Sequence, residues 1–479
     1  MAENYWRNKE SESEFDPINS LLSELADPED AEEFRADFFQ GLAGRRQKAA
    51  FLLMVIWIVT ISLHFVSWGF ELILGITGLV GIQILRYLFA KPHKSKISGS
   101  IPESTKSTFV PKISLLVAAK NEEAVIGDLV AMLCSLDYPA DKYEIWAIDD
   151  RSTDNTPVVL DRLAKEYPQL KVVHRAASAG GGKSGALNDV VPKTFGDIIG
   201  VFDADAKITP NLLNEVVPLF AKPRVGAVQV RKAIANEPEN FWTKGQAAEM
   251  ALDSYVQQQR IAVGGIGELR GNGQFVSRTA LDSCGGWNEE TITDDLDLTI
   301  RLHLDNWKVD LLFTPAVYEE GVTDAVALWH QRNRWAEGGY QRYLDYWRYI
   351  FRRPIGFGKR IDLICWMVLQ YIVPAANVPD GIMAIARHRL PVLSPITALL
   401  FVWGFVGIFR GLLRINAAEG KYLNLATIFR ITWESLRGLI YMVHWQIVML
   451  SITARMSIRP KRLKWVKTVH EGNTSFNNG

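Results

Sequence analysis

Cysteine is scarce in this chain of 479 residues. Only Cys134, Cys284 and Cys365 occur, far apart and without a CxxC pair, so they provide neither a disulfide scaffold nor a structural zinc site. A surplus of charge is also missing, because 53 Lys and Arg residues balance 53 Asp and Glu residues. A neutral chain has no electrostatic reason to coat nucleic acid, and we expect no nucleic-acid partner.

The amino terminus lacks the pattern of a secretory signal. Its first 38 residues contain twelve acidic residues, whereas the basic residues Arg45, Arg46 and Lys48 come late and precede a long apolar run. A signal peptide places its basic residues and its apolar core at the very start of the chain. The sequence therefore predicts an acidic, mobile arm.

Long apolar runs stand at both ends of the remaining chain. Residues 49–66 and 69–89 form two of them, and 18 helical residues extend about 27 Å, close to the thickness of a bilayer core. Further apolar runs occur at residues 361–376, 390–409 and 436–453. Pro374 and Pro379 leave a re-entrant first run open, and residues 410–437 also fit an interfacial segment.

These patterns divide the chain into six parts and predict a multi-pass membrane protein. In order they are a 1–47 acidic arm, a 48–90 pair of transmembrane helices, a 91–335 globular domain, a 336–360 interfacial amphipathic segment, a 361–456 membrane block of about three helices, and a 457–479 basic tail. Basic residues before the first span and after the second, at Lys91, Lys94 and Lys96, predict a cytoplasmic domain. The same rule predicts that the basic tail is cytoplasmic. That requires either that one of the last three apolar runs does not cross the membrane, or that the chain crosses once more.

The globular part alternates strand-like and helix-like segments, which indicates an α/β sheet. Predicted strands cover residues 112–119, 144–150, 170–174 and 197–203, and predicted helices cover 122–136, 156–167, 184–191 and 296–304. Two strands end in acids, one in Asp149 and Asp150, the other in Asp203 followed by Asp205. Ligands of open α/β sheets bind at such carboxyl ends.

Acids at one strand end are commonly turn formers or helix caps. Two acidic strand ends in one sheet favour a cation site, because Mg²⁺ and Mn²⁺ prefer carboxylate ligands and Mg²⁺ completes its shell with substrate phosphates and water. A substrate that carries a diphosphate is the expected partner.

A glycine-rich segment lies between these strand ends. The segment Gly180–Gly185 contains Lys183, but Ala177 stands where a P-loop requires glycine, which excludes the ATPase interpretation. A lysine at the start of a helix still suits a phosphate or nucleotide, and a solvent-exposed glycine loop is the alternative.

Six short motifs follow one another along the chain: NEE at 121–123, DDRSTDNT at 149–156, GKSGALN at 182–188, DAD at 203–205, TDD at 293–295 and QRNRW at 331–335. Their order resembles that of a membrane-integrated family 2 glycosyltransferase. The resemblance implies a GT-A-like, Rossmann-like domain flanked by transmembrane helices. It also implies inverting transfer from a UDP-sugar, with Mg²⁺ as cofactor and Mn²⁺ as a possible substitute.

The resemblance also implies roles for individual residues. Asp149 or Asp150 holds the uracil end of the donor with Lys183 nearby, Asp203 contacts the ribose, and Asp205 binds the metal. Asp295 is the catalytic base, while Gln331, Arg334 and Trp335 of the QxxRW motif bind substrate. The chain departs from the family at Asp294, where glutamate is usual, which leaves the role of that acid open.

About five spans are few for a glycan channel, which favours an acceptor taken from the bilayer, diacylglycerol or another membrane lipid. The alternatives are a processive β-glycan synthase, a polyprenyl-phosphate glycosyltransferase and a nucleotide-sensing transporter. A transporter requires polar groups deep in several spans, and the intramembrane candidates are Glu71, His64, Gln370 and His444.

Overall fold

The structure is a computed structural model that describes residues 44–91 and 109–458. The predicted arm up to residue 43, the basic tail from residue 459, and Lys94 and Lys96 lie outside the described residues. The described part contains a globular α/β domain between two groups of apolar helices.

A seven-stranded sheet forms the centre of the globular domain. Its strands are β1 Ile113–Ala119, β2 Tyr143–Asp149, β3 Leu170–His174, β4 Ile198–Phe202, β5 Val225–Ile234, β6 Gln274–Ser277 and β7 Lys308–Glu319, in the spatial order β3-β2-β1-β4-β6-β5-β7. The strands β1 to β4 are parallel, and β6 alone is antiparallel to both its neighbours. The four predicted strands are confirmed within two residues at each end.

Helices cover both faces of this sheet. They are α3 Ile126–Cys134, α4 Thr156–Glu166, α5 Gly182–Val190, α6 Leu212–Val216, α7 Phe241–Ala262, α8 Arg278–Ser283 and α9 Asp294–Leu304. One apolar cluster joins the sheet to α3, α4 and α6, and a second joins its other face to α5, α8 and α9. Burial on both faces explains why β1, β2 and β4 are continuous apolar runs rather than alternating ones.

The register of the parallel strands places the acidic motifs side by side. Ala119 at the end of β1 pairs with Asp149, and Val117 pairs with Phe202, which immediately precedes the DAD motif. The carboxyl ends of β1, β2 and β4 therefore meet at one edge of the sheet, where an open α/β sheet binds its ligand.

A helix of 28 residues, α10 Ala325–Arg352, leads from the domain to the membrane block. The Asp324 side chain caps it by accepting hydrogen bonds from the backbone N–H groups of Val326 and Ala327. This helix contains both QRNRW and the aromatic run that follows, so the chain remains helical across the predicted boundary between residues 335 and 336.

Among the described residues, five helical rods are long and apolar enough to span a membrane. They are α1 Arg45–Leu63, α2 Gly69–Phe89, the rod of α11 Phe357–Met367 and α12 Val373–Ala386, α13 Ser394–Ala418, and the rod of α14 Leu425–Tyr441 and α15 Val443–Ile458. A π-helical turn, Val368–Ile372, joins α11 to α12. Pro374 and Pro379 lie within this rod, Pro374 as the second residue after the π turn. The third rod is therefore one continuous helix.

Candidate active site

One cavity of about 560 Å³ opens at the acidic edge of the sheet. The candidate site residues that line it are Asp150, Lys183, Asp203, Asp205, Asp295, Gln331, Arg334 and Trp335. They come from positions 150 to 335 of the chain, from strand ends and from the helices α5, α9 and α10, and the fold brings them together. Only Asp149 among the predicted site residues is not part of the lining.

Asp149 and Asp150 are adjacent in sequence but have different surroundings. The Asp149 carboxylate accepts a hydrogen bond from the Ser152 N–H at 3.0 Å and lies 3.1 Å from His174 Nδ1, so it secures the turn after β2. Asp150 faces the cavity and pairs with the Arg175 guanidinium at 2.7 Å. The geometry therefore makes Asp150 the acid that a ligand can contact.

The glycine-rich segment places Lys183 at the start of α5. Gly181 has φ 76°, and a Cβ atom there would lie 2.9 Å from the backbone Cα of Gly185, so the position favours glycine. Lys183 Nζ donates to Asp203 Oδ1 at 2.5 Å. Burial opposes the charge on Lys183, but the carboxylates of Asp203, Asp294 and Asp295 outweigh it and raise the pKa of the lysine. Lys183 remains a cation in the cavity.

The segment Gly271-Asn272-Gly273 supports the DAD motif from the neighbouring strand. The Asn272 side-chain oxygen accepts a hydrogen bond from the Asp203 backbone N–H at 3.2 Å. A Cβ atom at Gly273 would lie 2.7 Å from the Val317 side chain, so the backbone approaches that side chain closely here. On the other side of the motif, Asp205 Oδ2 accepts from the Glu320 N–H at 3.0 Å.

Asp294 and Asp295 form the first turn of α9 and face the cavity. Burial, and next the adjacent carboxylate of Asp294, raise the pKa of Asp295 to about 6. A carboxylate with such a pKa is a stronger base than an exposed one and is still largely ionised at neutral pH. The position has the property that a general base requires.

The QRNRW motif lies on α10 and divides its side chains between two environments. Gln331, Arg334 and Trp335 line the cavity. Arg332 is fully buried and donates to Glu249 at 2.7 Å and to the Tyr441 hydroxyl at 3.1 Å. The second arginine of the motif therefore faces the ligand space, while the first anchors α10 to α7 and α14.

Sequence reasoning missed several charged residues of the cavity. Lys232 on β5 pairs with Glu319 at 2.8 Å and lies 5.3 Å from the centre of the Trp335 ring. Arg270 forms ion pairs with Asp253 at 2.7 Å and with Glu268 at 2.6 Å. None of these residues stands in a recognisable motif, and only the pairing of β5 with β6 and β7 brings them to the site.

The described residues contain no group of three or more His, Cys, Asp or Glu side chains arranged as a metal site. Asp205 nevertheless lies in the cavity beside cationic side chains that suit a diphosphate. Mg²⁺ commonly binds through one or two protein carboxylates, with phosphates and water as the other ligands. The residues present fit that type of metal site.

Comparison with known proteins connects this geometry to a family. Residues 111–338 match the family described as glycosyltransferase-like family 2. The β-monoglucosyldiacylglycerol synthase of Synechocystis sp. is 57% identical over 465 residues, which cover 96% of this chain and 96% of the relative. The synthase of the same name from Nostoc sp. is also 57% identical and covers 98% of this chain and 99% of the relative.

A solved structure supports the fold. The mannosyltransferase PcManGT of Pyrobaculum calidifontis, solved with GDP-Man and Mn²⁺, superposes with a TM-score of 0.52 at 22% identity and covers 83% of this chain and 99% of its own. The predicted GT-A-like domain with flanking apolar helices is confirmed. By its identity to the two synthases along nearly its whole length, the chain belongs to the family of β-monoglucosyldiacylglycerol synthases within the family 2 glycosyltransferases.

Proposed function

We propose that the protein transfers glucose from UDP-glucose to the 3-hydroxyl of 1,2-diacylglycerol and so produces a β-monoglucosyldiacylglycerol. The observation that carries this proposal is the continuity of the cavity, which joins Asp295 and Lys183 at the sheet edge to side chains of α11 to α13 and α15. A water-soluble donor and a membrane-dissolved acceptor can thus meet at one carboxylate. The names of the relatives supply the sugar and the lipid.

The donor is held by the residues at the sheet edge. Asp150 and Asp203 offer carboxylates to the nucleoside, and Arg334 offers a guanidinium to the diphosphate. Mg²⁺ bound through Asp205 would neutralise the charge that develops on the leaving diphosphate. Lys183 holds Asp203 in place through its 2.5 Å hydrogen bond and contributes positive charge to the same region.

Transfer then requires one proton acceptor. Asp295 takes the proton of the lipid hydroxyl, whose oxygen attacks the anomeric carbon on the face opposite the diphosphate. The new glycosidic bond forms as the bond to the diphosphate breaks, so an α-linked donor gives a β-linked product. This single displacement forms no covalent enzyme intermediate, so one carboxylate base is sufficient.

The test is a product analysis. Purified protein in mixed micelles with 1,2-diacylglycerol is given labelled UDP-glucose or labelled UDP-galactose in the presence of Mg²⁺. We expect label from UDP-glucose in the organic phase as one sugar per lipid, sensitive to a β-glucosidase. A water-soluble polymer that lengthens with time would instead support a processive glycan synthase.

We also propose that the domain is cytoplasmic and that the rod of α14 and α15 lies along the cytoplasmic surface without crossing the membrane. Residues along the rod contact the domain: Gly438 packs on Ala248, Trp445 Nε1 donates to Glu249 at 2.9 Å, and Arg455 bonds to Asn333. A crossing rod would take one end about 30 Å away. This arrangement leaves four crossings and places both ends of the chain on one side.

Cysteine labelling tests this topology. We expect Tyr422→Cys and Ile458→Cys, one at each end of the rod, to react with a membrane-impermeant maleimide from the cytoplasmic face, and Leu390→Cys to react from the opposite face. These three side chains are 91%, 69% and 81% exposed. The unmodified chain, with its three native cysteines, gives the background, and labelling of residues 422 and 458 from opposite faces would show that the rod crosses.

A further inference from the structure

The inner part of the cavity extends between the membrane helices. Its wall there is largely apolar and is formed by Leu369, Val373, Leu400 and Phe401, with the amides of Gln370 and Asn377 among them. The Thr397 hydroxyl donates to Asn377 Oδ1 at 3.4 Å. We call this part of the cavity the membrane limb, and its interpretation rests on the proposed function.

Gln370 occupies an unusual place in this limb. It lies within the π turn Val368–Ile372, the only π-helical segment among residues 44–91 and 109–458. A π turn widens the helix by one residue and redirects its side chains, and such turns are frequent at functional sites. The extra residue lets two neighbouring polar side chains, Gln370 and Tyr371, both line the cavity from one turn.

The π turn stands beside the catalytic segment. Tyr371, the residue after Gln370, packs on Tyr340 with ring centres 4.9 Å apart. Its hydroxyl also lies close to Gly339, where an added Cβ atom would be only 2.4 Å from the hydroxyl oxygen. Gly338, the adjacent residue of α10, faces Thr293 at the start of the helix that carries Asp295. The residue after Gln370 thus contacts α10, which in turn packs on the start of the helix that carries Asp295.

The amide of Gln370 is half-buried and makes no hydrogen bond to any side chain or backbone group within the part of the chain that the structure describes. Polar side chains in membrane-spanning helices are unfavourable unless they find a partner, and they generally face a functional cavity. The amide N–H₂ group offers two donors to a ligand in the limb.

We propose that Gln370 binds an ester carbonyl of the acceptor lipid and thereby positions the free hydroxyl at Asp295. Diacylglycerol has two ester carbonyls, which only accept hydrogen bonds, a few bonds away from its one hydroxyl. Its acyl chains match the apolar wall of the limb. The ligand class is therefore a neutral glycerolipid with ester-linked chains, and Gln370 distinguishes it from lipids without a carbonyl at that position.

The experiment compares 1,2-diacylglycerol with a 1,2-dialkylglycerol of equal chain length, whose ether oxygens replace the ester groups. For the full-length protein we expect a KM about tenfold lower for the diacyl acceptor, the scale of one hydrogen bond to a neutral group, with similar kcat. Gln370→Met, which keeps the volume and removes the donors, is expected to raise the diacyl KM about tenfold and to leave the dialkyl KM within twofold.

The matched control is Gln83→Met, the same exchange on α2, where the side chain pairs with Arg86 outside the cavity. It should keep the acceptor preference of the unmodified protein. Equal KM values for the two lipids in the unmodified protein, or an unchanged preference in Gln370→Met, would overturn the role of Gln370 while leaving lipid glucosylation intact. Failure of the unmodified protein to glycosylate either lipid would overturn the proposed function itself.

Discussion

Replacing Asp295 with asparagine is expected to lower kcat for lipid glycosylation by about 10² to 10⁴, because loss of a general base commonly costs that factor. The amide is nearly isosteric but does not accept the proton of the lipid hydroxyl. Binding of UDP, measured by calorimetry, should remain within about threefold, since Asp295 acts on the acceptor side. The control is Asp305→Asn, an exchange at the exposed far end of the same helix.

The pH dependence of turnover separates a base from a structural carboxylate. Since the pKa of Asp295 is raised to about 6, the proposed base is protonated below that pH, and kcat should fall about tenfold per pH unit there and level off above it. Asp294→Asn removes the adjacent like charge that helps to raise this pKa. In that variant the fall of kcat at acidic pH should therefore begin at a lower pH. An Asp295→Asn variant with near-normal turnover would transfer the role to Asp294.

Loss of the proposed metal ligand is the second large effect. Asp205→Ala is expected to reduce activity about 10³-fold or more, because a Lewis acid on the leaving group contributes several kcal/mol to transition-state stabilisation. The Mg²⁺-dependent part of UDP binding should disappear with it. Calorimetry with UDP, with and without Mg²⁺, measures that loss separately from turnover.

A control on the same strand distinguishes metal binding from strand stability. Asp197 stands at the opposite end of β4, where its exposed carboxylate accepts the Lys112 N–H at 3.1 Å, and Asp197→Ala should retain Mg²⁺-dependent activity. EDTA should abolish turnover of the unmodified protein, with recovery on addition of Mg²⁺ or Mn²⁺. Full activity in EDTA would contradict a metal at Asp205.

The strands that the sequence predicted are mainly apolar, whereas β5, which it missed, contains polar residues that need distant partners. Strands β1, β2 and β4 are buried apolar runs and could be recognised directly. Strand β5 was not recognised, because it contains Gln229, Arg231 and Lys232 in its middle. These polar groups are acceptable inside only because β5 lies between β6 and β7: the Gln229 amide bonds to the Asn272 carbonyl and the Arg231 guanidinium to the Phe313 carbonyl. Pairing of that kind depends on partners far away in the chain.

The membrane helices show the same division. Length and apolar composition predicted each run, since the thickness of the bilayer determines how many apolar residues a span needs. Composition could not show that the rod of α14 and α15 contacts the domain along its length, because an interfacial rod and a crossing rod share an apolar surface. The ion pair of Arg45 with Asp345 at 2.6 Å, which joins the start of α1 to α10, could not be predicted either.

The sequence by itself determined the family, the order of the acidic motifs and the identity of the residues suited to bind a diphosphate or to remove a proton, because these depend on residue type and local spacing. Only the tertiary structure decided that Asp150 rather than Asp149 faces the cavity, that Lys232 and Arg270 belong to it, and that it continues to Gln370 between the membrane helices. The physical reason is that the environment of a side chain, its partners, its burial and its pKa, is created by strands and helices that meet only when the chain folds.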